Sequence, residues 1–139
     1  MEEVDFDDLD FWDGYYLDEK PFTGIAYEKD SRGVILSEYT FVSGAESGPQ
    51  KEFYSNGNKK ELIHLYFGWH HGLSYEWYED GTLKFESLLE YGIVIWQKQY
   101  DEKGKILLDY TLGKEDDDYK KLMEWREKKN WPISPRMEF

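Results

Sequence analysis

The 139-residue sequence predicts a mainly β fold: an elongated antiparallel sheet of stacked 24-residue β-hairpins, closed by a C-terminal α-helix. Three observations carry this. Glycines recur in several series with one common step. Turn dipeptides lie between runs of alternating apolar and polar residues. Near the C-terminus the apolar spacing changes from two to that of a helix.

Residues 1–20 hold nine acids and one base, a net −8 out of the whole chain's −13. Phe6, Phe11, Trp12, Tyr15 and Tyr16 interleave with those acids, which separates the segment from a solvated tail. Asp13-Gly14 is a tight-turn dipeptide. Residues 5–20 are therefore expected to form a weak hairpin or edge strand that caps the fold, within a single domain spanning 1–139.

Residues 21–113 are read as four hairpin repeats. Gly24, Gly48 and Gly72 are 24 residues apart, as are Gly33, Gly57 and Gly81, and Gly44, Gly68 and Gly92. The repeat starts read GIAYEKDSRG, GPQKEFYSNG and GLSYEWYEDG, followed by a degenerate WQKQYDEKG. A period of this length means a stacked supersecondary unit. Arg32-Gly33, Asn56-Gly57, Asp80-Gly81 and Lys103-Gly104 are the expected turns, and Asn-Gly and Asp-Gly are strong hairpin signals. Phe41, Leu65, Leu89 and Leu112 fall in one row, with Tyr39 and Ile63 beside them. Glu38, Glu86, Asp109 and Lys84 fall opposite. One face is expected to be core and the other solvent. Glu28, Glu52 and Glu76 share a register, so stacking predicts a carboxylate ladder with a pitch of about 9–10 Å.

Residues 115–139 are expected to hold a helix and tail. Glu115 to Asp118 suit a helix N-terminus, where the macrodipole favours anions. Tyr119, Leu122, Met123 and Arg126 follow at helical spacing, Lys128 and Lys129 suit the C-terminal end, and Pro132 stops the run. The helix is expected to cap the last hairpin.

Composition narrows the function classes. Twenty-six aromatic residues argue for order in a chain of mean hydropathy −0.83. The absence of cysteine removes a disulfide framework, a thiolate nucleophile and a thiolate zinc site. No apolar run approaches a membrane span, and the acidic N-terminus does not read as a signal peptide, so a cytoplasmic location is expected. An acidic surface repels phosphates, which disfavours nucleic acid and anionic lipid and favours a basic protein partner.

The pattern Gly-x-x-x-Glu-aromatic-Tyr-x-Asn/Asp-Gly at 48–57 and 72–81, with the Pro21-Phe22-Thr23-Gly24 lead-in, resembles the MORN-repeat-variant family. Within it, the closest likeness is to the YwqK-type bacterial antitoxin, or immunity, group. The resemblance covers about residues 20–113. The first repeat departs from it with Lys29-Asp30, and the fourth has Trp96 in place of the opening glycine. The resemblance implies successive hairpins in an elongated sheet and a protein that neutralises a toxin. A MORN-type structural scaffold is the alternative.

No catalytic, cofactor or metal motif is present, and no cofactor is expected. His70 and His71 are adjacent in an expected loop and would point opposite ways, so they are read as solvated imidazoles. The expected partner-binding residues fall in two sets. One is the ladder Glu28, Glu52 and Glu76 with Tyr54 and Tyr78, which share its face and would be exposed anchors beside acids. The other is the N-terminal patch of Asp7, Asp8, Asp10 and Trp12. The partner expected is a cognate basic toxin, such as a nuclease, whose active site the acidic surface would occupy in place of phosphates. The exposed edges of an open sheet also allow pairing with a second copy, although nothing sets the oligomeric state.

Overall fold

A computed structural model describes residues 2–133. The strands in chain order are β1 (Glu2–Asp5), β2 (Asp10–Phe11), β3 (Tyr15–Leu17), β4 (Lys20–Pro21), β5 (Gly24–Lys29), β6 (Ile35–Val42) and β7 (Ala45–Glu46). They continue as β8 (Gly48–Phe53), β9 (Lys59–Tyr66), β10 (Trp69–His70), β11 (Gly72–Trp77), β12 (Leu83–Glu90), β13 (Ile93–Tyr100) and β14 (Ile106–Thr111). One helix, α1 (Asp117–Lys128), follows. The main sheet runs β1-β5-β6-β8-β9-β11-β12-β13-β14, with β7 and β10 as short flaps on β6 and β9. Among the described residues, only the β1–β5 pair is parallel. The fold is thus mainly β, an open stack of hairpins, as the glycine period predicts.

The four hairpin turns share one geometry. In the second, Gly57 N–H donates to the Tyr54 carbonyl and Tyr54 N–H donates to the Asn58 carbonyl. The same pair of bonds recurs at 30–34, 78–82 and 101–105. Only the glycine is left-handed, with φ of 89° at Gly57, so these are three-residue loops. The tight two-residue turns lie between hairpins instead. Ser43-Gly44, Phe67-Gly68 and Tyr91-Gly92 have both residues at positive φ. That conformation is unusual for Phe and Tyr, and it must be held by its surroundings.

Gly24, Gly48 and Gly72 face Phe41, Leu65 and Leu89 across the ladder. At Gly24 an added Cβ would lie 2.2 Å from the Glu2 carbonyl oxygen, where β1 joins the sheet. The first glycine series therefore allows close approach of neighbouring elements.

The expected division into a core face and a solvent face is not observed. Cross-strand pairs place Phe41, Leu65 and Leu89 on the same face as Glu28, Glu52 and Glu76. Tyr75 and Trp77, on the other face, stack at 5.7 Å, and Tyr75 lies directly opposite Glu86 of β12. A single-layer sheet has no second layer to bury one whole side, so most strand residues are half-buried on both.

The N-terminal segment divides between the two sheets, with the edge strand ahead of the 5–20 range expected for it. β1 is an edge strand, and β2, β3 and β4 make a small antiparallel sheet. Val4, Phe6, Leu9, Tyr15 and Leu17 pack on the buried cluster Phe22, Ala26 and Phe41 of the first hairpin. Burying each Phe is worth about 1.5–3 kcal/mol. At the other end, α1 buries Leu122 and holds the base of the third hairpin: Arg126 Nε donates to Glu90 Oε1 at 2.8 Å. Asn130, left-handed at φ 49°, ends the helical run ahead of Pro132. The cap leaves β14 exposed, and the last six residues of the expected tail lie outside the described residues.

Candidate protein-binding face

The ladder is denser than the 24-residue period predicts. Glu28 lies opposite Ser37, Ser37 opposite Glu52, Glu52 opposite Glu61, and Glu61 opposite Glu76. Three glutamates thus face one another directly on β8, β9 and β11, a pairing that is unfavourable for like charges. Glu61 is the residue that sequence reasoning missed. Its equivalents one period away are Ser37 and Phe85, so no repeat marks it; only the hairpin register does.

The electrostatics follow from this placement. Glu61 has its pKa raised to about 7, first by burial, then by the Glu52 charge and the contact with Glu76; Lys60 offsets part of this. Glu28 is engaged within the chain, because the Tyr39 hydroxyl donates to its Oε1 at 2.6 Å. Burial and that bond push Tyr39 up to about 12. Beside Glu61 and Glu76, a hollow of about 250 Å³ is lined by Ile63, Phe85, Leu89 and Val94. The face therefore joins carboxylates to an apolar floor.

Tyr54 and Tyr78 do not take the exposed positions expected of them. Both are half-buried, and their hydroxyls reach into the next repeat. Tyr54 donates to the Trp77 carbonyl at 2.7 Å, and Tyr78 donates to the Tyr100 carbonyl at 2.9 Å. Lys60 and Lys84 lie over their rings at 5.7 and 5.6 Å. The hydroxyl of the repeated tyrosine is a staple between hairpins, satisfying a carbonyl that the sheet would otherwise leave to water.

The N-terminal patch lies on other elements. Asp7 and Asp8 sit on the 3-10 turn after β1, where Asp7 N–H donates to Asp5 Oδ1. Asp10 is on β2. Trp12 is 63% exposed and packs on Tyr16 at 5.0 Å. These residues belong to the cap over the first hairpin, and no register pair among the described residues links them to Glu52, Glu61 or Glu76.

The histidines also depart from expectation. His70 is exposed, but His71 is buried among Tyr66, Tyr91 and Trp131. Its Nδ1 accepts the Tyr91 N–H, and Nε2 faces the Trp131 carbonyl at 3.4 Å. Among the described residues, no group of three or more His, Asp or Glu has metal-holding geometry.

The hairpins thus build an open sheet with one acidic, partly apolar face. The sequence model of the MORN repeat variant family matches residues 46–65 and 71–90. Those two stretches hold most of the second and third hairpins, including Glu52, Glu61 and Glu76. The match is consistent with a repeat-based interaction scaffold. Comparison with curated proteins gave no match. Among the described residues, no helix is long and apolar enough to cross a membrane.

Proposed function

We propose that this chain is a non-catalytic immunity protein, or antitoxin, that binds a basic toxin and covers its active site or substrate groove. The observation that carries the reading is the Glu52–Glu61–Glu76 row beside its apolar hollow. Three facing carboxylates are a standing electrostatic cost in the isolated chain, and a Lys or Arg of a partner relieves it. The hollow supplies apolar contact area around such an anchor. The net charge of −13 supports fast capture of a basic protein, because opposite charges raise association rates. A nuclease suits this surface, since its groove is built to receive phosphates. The second reading, a MORN-type structural scaffold, is favoured by the family match alone.

The test is co-expression in the cytoplasm with the protein encoded immediately upstream. The reading expects that product to arrest growth when made alone, to be harmless with this chain, and to co-purify with it. An upstream product that is harmless alone and does not bind overturns the antitoxin reading.

A further inference from the structure

The sheet ends differently at its two edges. At one, β1 carries Glu2, Glu3 and Asp5, a self-repelling edge. At the other, β14 presents Ile106, Leu107 and Leu108, which are 51%, 58% and 38% exposed, with Tyr110 beyond them. β14 pairs with β13 on one side and with no strand among the described residues on the other. Its outward N–H and C=O groups form a ladder open to another strand. A long, apolar edge of this kind is what soluble proteins ordinarily blunt with charge, proline or a covering element.

We propose that β14 pairs antiparallel with β14 of a second copy, joining two chains through their C-terminal hairpins. The pairing is self-complementary in sequence. A two-fold axis at Leu107 sets Lys105 opposite Asp109 twice, Ile106 opposite Leu108, and Leu107 on itself. Moving the axis to Asp109 would oppose two carboxylates. Moving it to Leu108 would leave Lys105 against Thr111. The charge distribution favours this end as well. Residues 93–114 hold three acids and four lysines, whereas residues 1–20 hold the net −8. Two chains meeting at β14 keep their acidic ends apart, beyond a screening length of about 8–10 Å. This inference does not depend on the toxin reading, and either can fail alone.

Sedimentation equilibrium of the full chain at 0.15 M salt tests it. The expected result is reversible assembly to twice the 16.7 kDa chain mass. Lys105→Glu and Asp109→Lys should each weaken assembly by about tenfold or more, because each sets like charges opposite one another twice. The double variant restores opposite charges and should recover it. Circular dichroism and thermal melts of each variant separate loss of pairing from loss of fold, since Asp109 also faces Lys98 within the chain. A wild-type chain that stays at single-chain mass up to about 100 µM overturns the proposal. So does a dimer that both single variants leave unchanged.

Discussion

His71 Nδ1 accepts the backbone N–H of Tyr91 at 2.9 Å, twenty residues further along the chain. The same relationship holds one and two periods earlier. Ser47 Oγ accepts the Phe67 N–H at 3.1 Å, and Thr23 Oγ1 accepts the Ser43 N–H at 2.8 Å. Thr23, Ser47 and His71 each precede a glycine of the first series and hold the left-handed residue of the next tight turn. At the third position the imidazole does more, because its Nε2 faces the Trp131 carbonyl while Trp131 N–H donates to the Tyr91 hydroxyl. His71 thus joins the repeat to the segment after α1.

This geometry requires a neutral imidazole, since a backbone N–H can only donate. Burial lowers the His71 pKa below its usual 6.5, against smaller opposing effects of the Trp131 carbonyl and Glu90. A lowered folded-state pKa means the unfolded chain binds the proton more readily. Stability is therefore full above about pH 6.5 and falls as pH drops from there through the folded value. Thermal melts of the wild-type chain and a His71 variant, compared between pH 5 and 8, isolate this acid loss. His71→Asn keeps an acceptor near the Nδ1 position and should flatten that part of the profile. His71→Ala should lower stability by about 2–4 kcal/mol at pH 7.5, by leaving a cavity and an unsatisfied N–H.

Glu61 predicts the opposite slope. Its folded-state pKa of about 7 lies above the usual 4.5, so the folded chain holds the proton more tightly. That contribution is present below pH 4.5 and is lost as pH rises through 7. Glu61→Gln should raise the melting temperature at pH 8 by several degrees and have little effect at pH 4.5. The gain is about 1 kcal/mol once solvent screening of a half-exposed group is allowed for.

The staples between hairpins can be measured singly. Tyr54→Phe and Tyr78→Phe each remove one hydroxyl-to-carbonyl bond and should cost about 0.5–1.5 kcal/mol in denaturant unfolding.

The glycine series should separate by cause. A Cβ at Gly72 would lie 2.9 Å from His64 Cβ, with φ at 132°. A Cβ at Gly57 would meet nothing within 4 Å, leaving only the positive φ of the turn. Gly72→Ala should cost about 2–4 kcal/mol and Gly57→Ala about 1 kcal/mol. Urea midpoints of the two variants provide the check.

The repeat and its turns were legible because glycine marks backbone conformation directly. Gly33, Gly57, Gly81 and Gly104 sit at the same turn position whatever surrounds them. The faces were less legible. Alternation shows which residues lie on one side of a strand, but not whether a second layer covers that side, and here Phe41 shares its face with Glu28. Glu61 was hidden because the period aligns it with Ser37 and Phe85, whereas its neighbours Glu52 and Glu76 come from strand register. The buried role of His71 depends on Trp131, sixty residues away, which local spacing cannot show.

The central claim is that the carboxylate row captures a basic partner. Binding of the upstream-encoded protein to wild-type chain and to the Glu52→Lys/Glu76→Lys variant, at 0.15 M and 0.5 M salt, tests it most directly. The account predicts a tight wild-type complex whose association slows at high salt, and at least about tenfold weaker binding by a variant that keeps its fold. Equal binding by the two chains, insensitive to salt, would contradict it.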